Sequence, residues 1–188
     1  MALSKLTRAS IIIYLIFNAG SHVSLYTCLG FLSKPTKAEI HKIKQARNLF
    51  IVEPGVKEPG FFIQHSQCYN AWADPNKNLI SISRPVINEF SVEELAGTLG
   101  HEYGHLIASS RSTPTGEQMR EHWKIDIVGA ELTGKKLALK ANYRFASIHA
   151  ELFKKTWTRF LLQLPYYRFR EIKKKYEFRN EKLKELPD

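Results

Sequence analysis

The sequence contains little of what defines several common protein classes. It has only two cysteines, Cys28 and Cys68, too few for a disulfide framework, and it shows no internal repeat and no low-complexity tract. The sequence leaves open whether these two cysteines pair, since an exported chain could oxidise them and a reduced pair fits equally well. A length of 188 residues favours one domain with a hydrophobic core over two.

Acidic residues are the scarcer of the two charge types. The chain has 18 Asp and Glu against 28 Lys and Arg, a net charge of +10. Residues 154–188 alone hold 11 basic and 5 acidic residues, so the basic character is local. We predict a solvated, basic helical tail over residues 166–188. A basic tail with interleaved aromatics can also bind nucleic acid or an anionic bilayer, but such a patch alone is weak evidence, and we expect no nucleic-acid partner.

Long apolar runs are also scarce, apart from one at the N-terminus. Lys5 and Arg8 precede the run ASIIIYLIFNAG, and Ala19-Gly20-Ser21 is a passable cleavage site. We therefore predict that residues 1–32 are a signal peptide or a single membrane anchor, which makes the protein exported or membrane-anchored, on the periplasmic or other extracytoplasmic side. A lipid-modified cysteine and a buried helix of the domain are the other interpretations.

The rest of the chain reads as a few strands followed by a run of helices, an α+β arrangement. Ser91 and Glu94 form a capping box that starts a helix running to about Ala108. The domain is expected to span residues 33–165. Its other predicted elements are a helix over residues 36–50, strands at LFIVE, FFIQH and NLISIS, and helices over residues 117–139 and 145–164, the last ended by Pro165.

The capped helix contains a His-Glu-Tyr-Gly-His run that has the pattern of a metal site. His101 and His105 lie four residues apart on one face, so both imidazoles can reach a single zinc ion. Glu102 could hold a metal-bound water and take its proton without being a ligand. Gly100 and Gly104 would leave room for an approaching strand or peptide. The histidines avoid the apolar stripe of the helix, which is Val92, Leu95, Leu99, Tyr103 and Leu106.

Two longer stretches extend the pattern beyond this run. The segment CYNAWADPNKNLISISRPVINEFSVEELAGTLGHEYGHLIAS resembles the catalytic core of the HtpX-like and type I CAAX prenyl endopeptidases, which are gluzincin-type zinc metallopeptidases. The segment DIVGAELTGKKLALKANYRFAS resembles their second helix, and the similarity covers about residues 45–150. It implies a zincin-like fold, in which a small mixed sheet packs on the His-Glu-x-x-His helix and on a second ligand-bearing helix. It also implies a zinc-dependent endopeptidase that acts on protein or peptide substrates.

The resemblance also implies the third metal ligand. In that family the ligand is a Glu four residues before an Asp, which corresponds here to Asp126, and the matching position holds His122. Glu121 is the alternative ligand, but it points about 100° away around the helix. Asp126 would orient a ligating imidazole. Because the family's Glu is replaced, a catalytically inactive binding or chaperone-like module is the second functional hypothesis.

Substrate contacts are implied by the same resemblance. The segment from Asn70 to Asp74 would be an edge strand beside the metal-binding helix, with Asn70 and Ala71 as substrate-binding residues. Three residues are candidate donors to the oxyanion that develops during peptide hydrolysis, namely Tyr143, Arg144 and Arg168, but a structural role is the favoured interpretation for each of them. His149 is expected to be an ordinary, partly buried histidine.

Overall fold

The structure is a computed structural model, and it describes residues 31–111, 122–157 and 163–187. Most of the predicted N-terminal segment, including Cys28, lies outside the described residues, as does Glu121. Cys68 is described and is not a free thiol. Among the helices in these ranges, none combines the length and the apolar content needed to cross a membrane.

The described residues form a small sheet and a set of helices, which confirms the α+β prediction. The strands are β1 (Phe31–Ser33), β2 (Gly60–His65), β3 (Ala71–Asp74) and β4 (Leu79–Ser83). The helices are α1 (Lys37–Arg47), α2 (Arg84–Glu89), α3 (Val92–Arg111), α4 (His122–Thr133), α5 (Lys135–Trp157) and α6 (Gln163–Lys184).

The sheet is mixed and has the order β1-β2-β4-β3. Its central pair, β2 and β4, is parallel, whereas β1 and β3 pair antiparallel with their neighbours, so that β3 is an edge strand. Alternate side chains of β4, Ile80 and Ile82, are fully buried in the core. The predicted strands FFIQH and NLISIS are therefore confirmed, as is the edge strand that the resemblance implied.

The strand predicted at residues 49–53 is wrong. This segment instead leaves α1 and crosses to α4, where the N–H of Ile51 donates a hydrogen bond to the carbonyl oxygen of Leu132 at 2.7 Å. Ile51 and Val52 are 69% and 54% exposed, so the segment lacks the alternating burial of a strand. The strand missing from the prediction is β1, which lies at the end of the segment assigned as signal or anchor.

Helix α3 is the centre of the core, and its predicted start and buried stripe are confirmed. The N–H of Ser91 donates to Glu94 Oε2 at 2.8 Å, and the N–H of Glu94 donates to Ser91 Oγ at 3.2 Å, which completes the capping box. Within the stripe, Leu95, Leu99 and Tyr103 are fully buried, and Val92 at the first turn is half-buried.

Two helix boundaries within the described residues differ from the prediction, namely the end of α4 and the start of α5. Gly134, at φ +85°, ends α4, because few other residues adopt a left-handed backbone without strain. A continuous helix then runs from Lys135 to Trp157. Pro165 lies in the first turn of α6 and does not end a helix, since a residue there needs no N–H for the helix ladder.

The basic tail is helical, but the prediction that it is fully solvated is wrong. Helix α6 packs against α4 and α5, and Arg179, Asn180 and Leu183 on its inner face are buried. Lys173 and Lys174 are exposed, so α6 has a charged outer face and an inner face that packs against the rest of the domain.

Glycines bring α3 and α4 into backbone contact, where the sequence had indicated room for a strand or peptide. A Cβ atom added to Gly100 would lie 2.9 Å from the carbonyl oxygen of Gly129, and one added to Gly104 would lie 2.8 Å from that of Ile125. A Cβ atom on Gly129 would lie 2.9 Å from the backbone nitrogen of His101. Any side chain at these positions would push the two helices apart.

Substitution of Gly129 by Ala should therefore lower the free energy of unfolding by roughly 1–3 kcal/mol, the cost of overpacking a rigid contact. It should also weaken metal binding, because His101 and His122 lie on the two helices that would separate. Urea denaturation and metal titration measure the two effects. Gly60→Ala is the matched control, since its added Cβ would meet only the Phe62 ring, at 3.5 Å. Equal stability of the two variants would contradict the packing argument.

Candidate metal centre

Helices α3 and α4 bring three histidines together. His101 and His105 come from successive turns of α3, and His122 is the first residue of α4. One ring nitrogen from each residue lies within 4.8 Å of one from each of the others. The structure thus clusters the three histidines that the sequence singled out.

Asp126 orients one of these imidazoles. Its Oδ1 lies 2.8 Å from Nδ1 of His101, so the ring can donate this N–H and leave Nε2 available to the cluster. Asp126 is almost fully buried. Burial alone would raise its pKa, but hydrogen bonds from Arg179 and His101 outweigh this effect and hold the pKa at about 2. The carboxylate is therefore ionised wherever the protein is folded near neutral pH.

Arg179 of α6 completes this chain of contacts, and the sequence reasoning missed it. Its Nε and Nη2 atoms donate to the two oxygens of Asp126, both at 2.5 Å, and Nη2 also donates to Asn142 Oδ1 at 3.3 Å. Nothing in the charged run KKKYEFRNEKLK marks this arginine. Its one available signal is the spacing to Leu183, four residues later on the same helix face.

The pKa values of two of the three histidines favour metal binding over protonation. Burial, followed by its two neighbouring imidazoles, lowers the pKa of His105 to about 3. Burial, followed by the ammonium of Lys175, lowers the pKa of His122 to about 4. Both rings are therefore neutral and keep a free lone pair. Nδ1 of His122 is buried and has no hydrogen-bond partner in the described part of the chain.

Three imidazoles that converge in this way fit a zinc site of the catalytic type, which uses three protein ligands and leaves one position open. No carboxylate or thiolate is needed to complete such a set. The cluster is also placed at the floor of an open cleft, where a fourth position can face a substrate.

Glu102 lies beside the cluster and has the properties of an acid–base group. It is only 5% exposed, and its burial raises its pKa, although His101, Arg179 and the backbone N–H of Ala73 oppose the shift. A carboxylate whose pKa is raised is a stronger base than an ordinary one, and once protonated it can return the proton.

A cleft of about 1100 Å³ lies over this group of residues. Asn70 and Ala71 line the wall formed by the edge strand β3, so the predicted substrate residues face the cleft. His149 and Tyr176, whose ring centroids are 5.9 Å apart, line the wall formed by α5 and α6. His149 is half-buried as expected, but it belongs to the cleft.

Two of the three candidate oxyanion donors, Tyr143 and Arg144, lie outside the cleft. Tyr143 is 49% exposed and is not among the cleft residues. Arg144 also lies outside the cleft, with its Nε 4.0 Å from Glu94 Oε1 and its guanidinium over the Phe90 ring. The side chain of Arg168 lies outside the described part of the structure. This agrees with the structural role that the sequence analysis favoured for Tyr143 and Arg144.

Two helices of this α+β domain bring three histidines together beside a buried glutamate. This arrangement is consistent with a metallopeptidase domain. The chain matches the family model of Peptidase family M48 over residues 37–173, most of its length, and it belongs to that family of metallopeptidases. This confirms the resemblance drawn from the sequence. No curated protein and no solved structure matches the chain.

The guanidinium of Arg179 should be needed for its fork geometry as well as for its charge. Replacement by Lys keeps the charge but loses one of the two bonds to Asp126, so metal affinity should fall about 10- to 100-fold, as it does when an outer partner of a ligand is changed. Competition against a zinc chelator measures the affinity. Lys182→Arg, at an exposed ion pair on the same helix, is the control. An unchanged affinity in Arg179→Lys would contradict the positioning role.

The metal-free protein should lose stability as the pH falls from 7 toward 4. The folded pKa values of His105 and His122, about 3 and about 4, lie below the ordinary value of about 6.5. The unfolded chain therefore binds more protons than the folded protein in this window. The stabilising contribution of the two histidines is present above pH 6.5 and is lost progressively as the pH falls below it. Each such proton contributes a slope of about 1.4 kcal/mol per pH unit.

Urea denaturation in a chelator at several pH values measures this slope. His105→Gln should flatten it by up to one proton, whereas His41→Gln, at an exposed position of α1, should leave it unchanged. A slope that is the same in the wild type and in His105→Gln would contradict the assignment.

Proposed function

We propose that this protein is a zinc-dependent endopeptidase that hydrolyses peptide bonds in proteins or peptides. Its ligands would be His101, His105 and His122, and its general base would be Glu102. The observation that carries the proposal is the convergence of three ring nitrogens within 4.8 Å of one another, in a chain of a metallopeptidase family. Bound zinc would supply Lewis acidity, which polarises the scissile carbonyl and lowers the pKa of a water molecule.

Glu102 would move the proton in this reaction. Its raised pKa lets it take a proton from the attacking water and deliver that proton to the amide nitrogen as the peptide bond breaks. Its position on the helix turn between His101 and His105 keeps it beside the metal without making it a ligand. Its burial excludes competing water from the carboxyl group.

Asp126 and Arg179 would hold the ligand set in place. The hydrogen bond between Asp126 and Nδ1 of His101 fixes the ring's tautomer, and the two bonds from Arg179 fix the carboxylate. Because Asp126 is ionised, it also makes the imidazole of His101 a stronger donor to a cation.

Substrate would bind along β3. The open edge of this strand can pair with an extended peptide by backbone hydrogen bonds, which would lay the scissile bond over the metal centre. The backbone N–H and carbonyl of Asn70 are engaged by Ser83, at 3.0 and 2.9 Å. Asn70 would therefore contact a substrate through its exposed side chain, and Ala71 would provide the first free backbone of the strand.

The replacement of the family's Glu by His122 raised the alternative of an inactive binding module. A set of three histidines is chemically competent for zinc hydrolysis, and it leaves the metal with a higher positive charge than a set that includes a carboxylate. The buried Glu102 would have no purpose in a pure binding module. We therefore favour catalysis. We also propose, from the sequence pattern alone, that residues 1–32 direct the domain to or across a membrane.

Two substitutions test the proposal. Glu102→Gln should retain one zinc per chain and lose peptide cleavage by roughly 10²- to 10⁴-fold, because only the proton carrier is removed. His122→Ala should lose both the zinc and the cleavage. Metal analysis and cleavage of a quenched fluorescent peptide measure the two properties.

His41→Ala, at an exposed histidine far from the cluster in sequence, is the control and should keep both. A wild-type protein that binds zinc but cleaves no peptide would support the binding module instead. Zinc retained at full affinity in His122→Ala would refute the ligand set.

A further inference from the structure

The cleft over the metal centre carries more positive than negative charge. Its described carboxylates are Glu102 and Asp126, and its ammonium and guanidinium groups are Lys57, Lys175 and Arg179. Arg179 neutralises Asp126 through two hydrogen bonds, and Glu102 is buried at the cleft floor. The two lysines are thus left without a carboxylate within the cleft, and a bound metal ion would add further positive charge.

Lys175 is placed close to the metal centre. It lies one helical turn before Arg179, so both residues project from the same face of α6 toward the cleft. Its ammonium, acting after burial, lowers the pKa of both His122 and His149. Lys175 therefore lies within electrostatic reach of the cleft floor and of the wall opposite β3.

Three other lysines of α6 form ion pairs with a glutamate on the same helix. Lys173 pairs with Glu177 at 3.5 Å, Lys182 with Glu185 at 2.8 Å and Lys184 with Glu181 at 2.8 Å. For Lys175, the described ranges show no carboxylate within ion-pair distance. Lys175 is exposed to solvent, but partial burial of its side chain and then the charge of Arg179 lower its pKa, which the charge of Asp126 only partly opposes. An anionic group from a substrate would relieve both effects.

We propose that the cleft selects peptides carrying an acidic side chain close to the scissile bond, and that Lys175 is the specificity-determining residue. This inference rests on the proposed function. A peptide paired with β3 directs alternate side chains to opposite sides, so one class of positions would face α6. An Asp or Glu side chain there would form an ion pair with Lys175 at the wall of the cleft.

Binding to an inactive protein tests this inference without relying on turnover. Full-length Glu102→Gln protein is loaded with Zn²⁺ and titrated into fluorescein-labelled neutral peptides. Each peptide carries a single Glu or Gln at one of the three positions on either side of its central residue. Fluorescence anisotropy gives the Kd. At one or more positions we expect Glu to bind about three- to tenfold more tightly than Gln, with a contrast that shrinks in high salt.

Charge variants in the same background identify the residue. Lys175→Gln should abolish the contrast, and Lys175→Glu should reverse it in favour of a Lys-containing peptide. Lys173→Glu is the matched control, since it makes the same charge change two residues away on the exposed side of α6 and should preserve the preference for Glu.

The outcomes separate this inference from the proposed function. Equal Kd values for Glu and Gln peptides, equal effects of the changes at 173 and 175, or no peptide binding at all would overturn the role of Lys175. Cleavage of the neutral host peptide by the wild type is measured in parallel. Cleavage without a Glu preference leaves the endopeptidase standing, and a Glu preference without cleavage leaves the acidic selectivity standing in a binding protein.

Discussion

The close contact between α3 and α4 is the constraint on which the rest of the structure depends. Gly100 and Gly104 on one helix and Gly129 on the other allow the two backbones to touch, with added Cβ atoms excluded at 2.8–2.9 Å. Only at this separation can an imidazole at the start of α4 reach the two imidazoles of α3. The apolar stripe of α3 fixes the orientation of that helix against the sheet, which leaves the histidine face turned toward the cleft.

A second constraint is electrostatic and joins the C-terminal helix to the metal centre. Arg179 of α6 binds Asp126 of α4, and Asp126 binds His101 of α3. The buried charges of Arg179 and Asp126 compensate each other, which is the condition for keeping charged groups out of water. Helix α6 thereby supports the histidines of α3 and α4 through Arg179. Through Lys175, the same helix places a positive charge at the cleft wall.

Patterns of local origin allowed much of the fold and site to be predicted. The capping box at Ser91, the stripe of α3 and the histidine spacing depend on neighbours within one helix, and each was read correctly. The third histidine needed a resemblance, because the spacing between His105 and His122 carries no physical rule. The role of Arg179 depends on tertiary contacts, and the break at Gly134 depends on a left-handed backbone that the pattern of side chains does not show. A lone arginine in a lysine-rich run and a glycine within a helical pattern do not reveal their partners.

The central claim is that three imidazoles from two helices bind one zinc ion. X-ray absorption spectroscopy at the zinc edge tests it most directly, because the fine structure counts the ligands and identifies imidazole scattering. The account predicts three imidazole nitrogens at about 2.0–2.1 Å and one further light-atom ligand. A spectrum with two imidazoles and a carboxylate from the protein, or a purified protein that takes up no zinc, would contradict it.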